Sequence, residues 1–144
     1  MAALPVEDPL AHRALESLLR AETAVRRRLA AELAHEGVSA SGFAVLVVLQ
    51  TAGGELPLRV LRRRLQTSKA NATEVVSTLA AHGFVRRSHS PLDRRAITIE
   101  LAPAGRAVVQ RLFPQHSERV RDAFAVLDEE EKRSLAAICR KLAA

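Results

Sequence analysis

The chain has no tryptophan, no tyrosine and a single cysteine among its 144 residues. Cys139 has no partner for a disulfide within the chain, which excludes the disulfide-stapled class of small secreted domains. The longest apolar run, residues 43–49, is far shorter than the roughly 20 residues that a helix needs to cross a bilayer. We therefore expect no contact with membranes.

Glycine and proline are also scarce, with six of each, and no stretch rich in Gly, Ser or Pro divides the chain. The N-terminal segment carries Glu7 and Asp8 where a signal peptide would have a basic start and an apolar run. With 48% hydrophobic and 26% charged residues, the composition is that of an ordinary globular domain. The sequence predicts one cytoplasmic domain over residues 1–144.

Signatures of catalysis and of metal binding are absent. Ser41-Gly42 lacks the G-x-S-x-G frame of a nucleophile elbow, and there is no Gly-rich phosphate loop. The five histidines do not fall at the ligand spacing of a helix, and no second cysteine accompanies them. We expect neither an enzyme nor a protein with a metal or other cofactor.

Positive charge is concentrated in the middle of the chain. Residues 56–106 hold ten basic and three acidic residues, a net charge of +7, whereas the rest of the chain carries −1. A basic central region between nearly neutral ends indicates that this region faces a polyanion. A solvated basic face with no partner is the alternative.

The two ends of the chain have the apolar period of long helices. Leucine and valine recur every three, four or seven residues between Leu10 and His35, and Gly37 would end that helix. A second, nearly all-apolar helix is predicted to begin after Ser39 as its N-cap and to end at Gly53-Gly54.

The C-terminal part predicts two further helices. One begins at Pro103 and carries an apolar stripe as far as Leu127, with a bend at Pro114. The next begins after Asp128, which forms a capping-box pattern with Glu131. Because these terminal helices present more apolar surface than one chain can cover, we infer a helical dimer interface. A monomer with its terminal helices packed on each other is the alternative.

The basic region of residues 56–106 has the pattern of two short helices followed by a hairpin. Residues 57–65 form a helix with Pro57 in its first turn, residues 66–68 form a turn, and Ser68 caps a helix over 69–82. One face of this last helix is small, polar and almost uncharged, unlike a routine solvated face: Ala70, Asn71, Thr73, Glu74, Ser77 and Thr78. Such a face can approach the edges of bases in a major groove.

Two strand-like segments follow directly. Residues 84–87 and 96–101 alternate in the manner of strands, and residues 89–93 between them have turn chemistry. Arg94 and Arg95 lie at the tip of this hairpin, where guanidinium groups can enter a narrow minor groove. Asp93 is interpreted as a support that pairs with a neighbouring arginine.

The order of these elements resembles the MarR family of bacterial winged-helix regulators over essentially the whole chain. Asp93, Arg95, Leu101 and Gly105 match the wing signature of the family, Asp-any-Arg followed by Leu-Thr-x-x-Gly. Ala102 replaces the usual threonine cap, which costs about 0.5–2 kcal/mol of local stability. The resemblance implies a mostly α fold with a small β-hairpin wing. Its winged helix-turn-helix part spans residues 38–102, and residues 8–36 and 103–144 form a helical dimerisation layer.

The resemblance also implies a function. A homodimer would bind a pseudo-palindromic operator in double-stranded DNA, and a small-molecule effector often releases it. Arg95 would enter the minor groove, with Arg94 beside it and Asp93 as its support. The residues expected to contact bases or phosphates are Ser68, Lys69, Asn71, Thr73, Ser77, Arg62, Arg63, Arg86, Arg94 and Arg95. The alternative is an architectural, nonspecific DNA-binding protein or a protein-interaction module with the same fold.

The resemblance implies that an effector crevice would lie between the winged-helix part and the helical layer. The candidates are His12, His35, Phe43, Val47, Phe113 and His116. Packing in the core is the alternative for Phe43, Val47 and Phe113. Cys139 lies on the apolar face of the last helix, so we expect a core residue and not an oxidant sensor, since the peroxide-sensing branch of the family pairs its cysteine with tyrosines.

Overall fold

The computed structural model describes residues 4–31, 33–65 and 67–144, with only the backbone of Ala34 and His35. It has six α-helices, one 3-10 turn and three strands, which confirms the mostly helical class with a small β wing. In chain order the elements are α1 (Pro9–Ala30), the 3-10 turn (Leu33–Glu36), α2 (Ala40–Thr51), β1 (Glu55–Pro57), α3 (Leu58–Leu65), α4 (Lys69–Ala81), β2 (Val85–His89), β3 (Ile97–Leu101), α5 (Pro103–Ala123) and α6 (Glu129–Ala143).

The predicted helix caps are in place. Ser39, Ser68 and Asp128 each accept a hydrogen bond from the backbone N–H three residues further on, at 3.0, 3.1 and 2.8 Å. Glu131 completes the capping box by accepting from the backbone N–H of Asp128 at 2.9 Å. These side chains satisfy donors that a helix leaves open in its first turn, which is why local sequence placed the starts of α2, α4 and α6 correctly.

The first helix is shorter than predicted. Its period suggested one helix to His35, but α1 ends at Ala30 and a 3-10 turn follows before Gly37 adopts a φ of +71°. The tighter turn changes the phase of the chain, and Leu33 at its start and Val38 after its end are both buried. Burial of these two side chains favours the break over a continuous helix.

The sheet contains one strand that the sequence did not reveal. The strand order is β1-β3-β2, antiparallel throughout, with Leu56 opposite Ile99 and Arg87 on the other side of Ile99. Pro57, predicted as the first turn of a helix, instead ends β1. The prediction was wrong because a three-residue strand has no period of its own and forms only by pairing with β3.

A single hydrophobic core lies beneath the sheet and the helices α2 to α5. Leu46 and Leu49 of α2, Leu61 of α3 and Ile99 of β3 have no exposed surface. Helix α2 was predicted to be central, and buried residues recur along its length. This core fixes the position of α4 and of the hairpin.

Gly105 is required by a close contact at the start of α5. A Cβ atom at this position would lie 2.2 Å from the carbonyl oxygen of Phe84 and 2.9 Å from Leu101 Cδ1. The same carbonyl accepts the backbone N–H of Ala102 at 3.0 Å. Contact between two backbone segments therefore gives a physical reason for glycine at this place in the wing signature.

The chain divides into two compact units. One unit contains the chain up to Ala31 together with Arg119–Ala144. The other contains the residues that lie between these two segments in the sequence, up to Glu118. Helix α5 belongs to both and continues through Pro114. Every residue of α1 and α6 is described, and none of them is buried. Among the described residues, no helix has the length and apolar character that a membrane span requires.

Candidate nucleic-acid interface

The N-terminus of α4 is held by a short chain of side-chain hydrogen bonds. Ser68 Oγ accepts the backbone N–H of Asn71, and the amide of Asn71 donates to Thr67 Oγ1 at 2.6 Å. Thr73 Oγ1 donates to the backbone carbonyl of Lys69 at 2.8 Å. Three of the predicted DNA-contacting side chains thus have fixed positions on the first turns of this helix.

The outward face of α4 consists of short polar side chains. Asn71, Thr73, Glu74 and Thr78 are exposed, and Ser77 is half-buried. The hydroxyls of Thr73 and Thr78 each donate to a carbonyl of the preceding turn. They therefore present lone pairs and a methyl group outward, groups that match amino donors and thymine methyls at base edges.

The wing is shaped by backbone hydrogen bonds around Asp93. Its Oδ1 accepts the backbone N–H of Arg95 at 2.9 Å, and its carbonyl accepts the N–H of Ala96 at 3.0 Å. His89 Nδ1 is 2.8 Å from the carbonyl oxygen of Arg94. Within the described part of the chain, Asp93 forms no ion pair with an arginine, in contrast to the sequence interpretation. Asp93 instead contacts the backbone that carries Arg95.

The tip of the wing projects fully from the sheet. Leu92 is 98% exposed, and Arg94 and Arg95 are also exposed. Neither arginine has a side-chain hydrogen bond or an ion pair among the described residues. Their charge is available to a ligand.

The remaining predicted arginines differ in their surroundings. Arg62 is half-buried and Arg63 exposed on α3, while Arg86 Nη2 lies 3.9 Å from Glu100 Oε1 on the neighbouring strand. Arg87, from β2, donates to Ser77 Oγ at 3.3 Å and so joins the sheet to α4. Arg86 is partly neutralised within the sheet, whereas Arg62 is not.

Three of the predicted residues border one cleft. Arg62, Lys69 and Arg95 line it together with Arg59, which the sequence interpretation did not include among the DNA contacts. Arg59 and Arg62 are three residues apart on α3 and thus share a face. This spacing was the only sequence signal for Arg59, because its approach to the wing depends on the fold.

The comparisons with known proteins agree with this geometry. Residues 38–97 match the model of the MarR family. The uncharacterized HTH-type transcriptional regulator YkoM of Bacillus subtilis is 30% identical over 105 residues, which cover 73% of this chain and 68% of that protein. The chain belongs to the MarR family.

Further similarities concern named regulators and solved structures. The HTH-type transcriptional repressor YetL of B. subtilis is 33% identical over 100 residues, 69% of this chain and 60% of its own length. The crystal structure of Sco3205, a MarR family regulator from Streptomyces coelicolor in complex with DNA, has a TM-score of 0.85 at 28% identity, covering 99% of this chain and 89% of that one. AbsC from the same organism shares the fold, with a TM-score of 0.87 at 20% identity over 97% and 96% of the two chains. The relatives are transcriptional regulators and not enzymes.

The predicted effector residues of this MarR family member are only partly brought together. Phe43 of α2 and His116 of α5 are in edge contact, with ring centroids 5.1 Å apart, and Phe113 lies 6.0 Å from His116. Val47, one turn after Phe43, is half-buried against the core. His12 is exposed on α1, and the side chain of His35 lies outside the described residues.

His116 has a partly buried environment, unlike the exposed His12. Its Nδ1 atom is buried and has no hydrogen-bond partner among the described residues. Burial beside Phe43 lowers the pKa of His116 from the ordinary value of 6.5, since desolvation disfavours the charged form. The ring is therefore neutral near pH 7 and offers one unsatisfied nitrogen.

Cys139 is exposed, which contradicts the prediction that it is a core residue. Its helix, α6, buries none of its side chains within one chain. Among the described residues, no group of three or more His, Cys, Asp or Glu side chains is arranged to hold a metal ion.

Proposed function

We propose that the chain is a sequence-specific repressor of transcription that binds a pseudo-palindromic operator as a homodimer. The observation that carries this proposal is the juxtaposition of two surfaces on one compact unit. Helix α4 presents small polar side chains, and the neighbouring wing presents Arg94 and Arg95, which have no acidic partner among the described residues. Major-groove reading by a helix and minor-groove insertion by an arginine require this combination.

The relatives support both DNA binding and repression. Sco3205 has been crystallised with DNA, and YetL is named a repressor. In our proposal Ser68, Asn71 and Thr73 contact bases or phosphates at the start of α4. Arg95 enters the minor groove, held there by the hydrogen bond from its backbone to Asp93.

The homodimer is supported by apolar side chains that one chain leaves in water. On α1 these are Leu10, Leu15, Leu18 and Leu19, and on α6 they are Leu135, Ile138 and Leu142, all between 38% and 69% exposed. Concentrated apolar surface on helices without a single buried residue is typical of an interface. A second copy of the chain is the partner that also explains an operator of two half-sites.

Release by a small-molecule effector is the second part of the proposal. Phe43, Phe113 and His116 form an aromatic cluster on α2 and α5, and the buried Nδ1 of His116 has no hydrogen-bond partner within the described part of the chain. A ligand with an apolar body and one hydrogen-bonding group would satisfy this nitrogen. We propose such a molecule as the class of effector.

The decisive experiment is selection of bound duplexes from a random pool at near-physiological salt. We expect an inverted repeat with half-sites about one helical turn apart, bound at least about 10³-fold more tightly than random DNA. Arg95→Ala should reduce this preference, whereas Arg64→Ala, on the exposed side of α3, should not. Equal binding of all duplexes would favour the architectural alternative, and no duplex binding even at low salt would favour a protein-interaction module.

A further inference from the structure

A cleft of about 280 Å³ opens between the wing and the helix-turn-helix. Its lining comes from three places: the junction of β1 with α3, the first residue of α4, and the segment that leads from the wing into β3. The lining residues are Pro57, Leu58, Arg59, Arg62, Lys69, Arg95, Ala96 and Ile97. Half of these side chains are cationic and none is acidic.

The four cations of this cleft form no ion pair among the described residues. They are Arg59, Arg62, Lys69 and Arg95, and they differ in this from other arginines of the chain. Arg86 lies near Glu100, and Arg111 pairs with Glu36 at 2.9 Å. Four like charges around one concavity repel each other, and an anion between them would relieve that repulsion.

The walls of the cleft are held by the core. Pro57 is paired with Thr98 in the sheet, and the half-buried side chains of Leu58 and Ile97 pack against the buried cluster. Arg95 is fixed through its backbone hydrogen bond to Asp93. Lys69 is the first residue of the 13-residue helix α4, whose N-terminal dipole adds further positive potential. The cations therefore lie on elements that are joined by the sheet, the core and backbone hydrogen bonds.

We propose that this cleft is a clamp for a single backbone phosphate of the bound duplex. The proposal rests on the DNA-binding function proposed above and assigns to it a new residue, Arg59. Phosphate offers several acceptor oxygens in a compact group, and guanidinium groups bind such an anion with paired hydrogen bonds. Arg59, Arg62 and Lys69 form the site, with Arg95 at its border with the wing.

The position of the cleft indicates why the phosphate belongs to DNA. When a helix occupies the major groove and a wing the adjacent minor groove, the strand that separates the two grooves must pass between them. Lys69 belongs to the helix and Arg95 to the wing, so the cleft lies on the path of that strand. A phosphate bound there would set the register of α4 and of the wing together without reading sequence.

The first test compares two arginines of the same helix. Arg59→Gln should weaken binding to the selected operator and to random duplex by about tenfold each. It should also reduce the slope of log affinity against log salt by about one. Arg64→Gln is the matched control, because Arg64 is exposed on α3 but does not line the cleft. Equal behaviour of the two variants would overturn the clamp while leaving the proposed function intact.

The second test locates the phosphate. Neutral methylphosphonate linkages are placed one at a time along the operator, and one position per half-site should cost the unmodified protein about tenfold in affinity. The Arg59→Gln/Arg62→Gln variant should lose almost nothing at that linkage, since its clamp is already absent. The two substitutions together should also cost less than the product of their separate effects. Equal sensitivity of both proteins at every linkage would contradict the proposal.

A third experiment tests whether the cleft binds a phosphate of DNA or a free anion. Inorganic phosphate is titrated into the unmodified protein and into the double variant, and backbone amide signals of the cleft are followed by NMR. Shifts confined to the unmodified protein, together with no effect of any neutral linkage, would make the cleft a site for a free anion and overturn its assignment to DNA. Failure of the unmodified protein to bind any duplex would overturn both the clamp and the proposed function.

Discussion

The winged-helix unit and the unit formed by the terminal helices obtain their stability in different ways. Between the 3-10 turn and Glu118, side chains such as Leu46, Leu61 and Ile99 are completely removed from water. In α1 and α6 no residue is buried, although both helices carry regular apolar stripes. Helix α2 is apolar on nearly all sides, whereas α1 and α6 carry apolar residues on one face and charged residues on the other.

This difference teaches that an apolar stripe does not by itself identify the surface that covers it. The apolar side chains of α2 are covered by the same chain, whereas in the proposed homodimer the apolar stripes of α1 and α6 are covered by a second chain. Removal of a core side chain should therefore lower the stability of each molecule directly. Removal of an apolar side chain from the terminal unit should instead weaken the association of two molecules. Substitutions in α6 and in the core of the winged-helix unit separate these two cases.

Leu135→Asp should have the largest effect, on assembly and on operator binding. A charge on the apolar face of α6 opposes its burial against a second copy, and a monomer that holds only one half-site should lose 10²–10⁴-fold in operator affinity. Sedimentation velocity and duplex titration measure the two quantities. Ala137→Asp, on the opposite side of α6, is the control. A Leu135→Asp protein that remained dimeric would show that this face is not the interface.

Leu46→Ala should lower the free energy of unfolding by about 2–5 kcal/mol, because it leaves a cavity in the core of the winged-helix unit. The loss should be the same at every protein concentration, unlike that of Leu135→Asp. Chemical denaturation at two concentrations tests this difference. Leu92→Ala serves as the comparison, since a side chain that is 98% exposed should change stability by no more than about 0.5 kcal/mol. If the loss for Leu46→Ala changed with protein concentration, the core of the winged-helix unit would depend on a second chain.

Gly105→Ala should cost about 1–3 kcal/mol through overpacking. The added Cβ atom would lie 2.2 Å from the carbonyl oxygen of Phe84, which is backbone and cannot rotate away. Thermal unfolding is the measurement, with Ala104→Ser on the exposed neighbouring position as control. An unchanged melting temperature would mean that α5 shifts without loss, and that this contact is not required by the fold.

The smallest expected effect is a pH dependence from His116. Because its folded pKa lies below the ordinary 6.5, the unfolded chain binds the proton more readily, and stability should fall as the pH drops below about 6.5. His116→Leu should remove this part of the pH dependence of the unfolding free energy, whereas His12→Gln, at an exposed position, should retain it. Parallel pH profiles of the unmodified protein and His116→Leu would disprove the assignment.

Much of the fold was predictable because its signals are local. Ser39, Ser68 and Asp128 each satisfy a backbone donor three residues away, and period-two alternation predicted β3. The strand β1 was missed because its three residues become a strand only when they pair with β3. The break after α1 was missed for a similar reason, since it depends on the burial of Leu33.

The residues of the candidate site were likewise predictable only where their signals are local. The polar face of α4 and the wing arginines follow from spacing within single elements, so the sequence interpretation included them. Arg59 was not included, because its relation to Arg95 arises only when β1 and β3 pair and bring α3 beside the wing. Asp93 contacts the backbone N–H of Arg95 and not an arginine side chain, a distinction that the order of charges in the sequence does not show.

The amino-acid sequence by itself determined where α2, α4, α5 and α6 begin, which residues form the tip of the wing, and that positive charge lies in the middle of the chain. Caps, turns and periodicity act between residues a few positions apart, so they can be read from the order of residues. Only the tertiary structure decided which apolar stripes are buried, that Cys139 is exposed, and that four cations from three elements surround one cleft. These properties depend on contacts between residues distant in the chain, which local sequence does not specify.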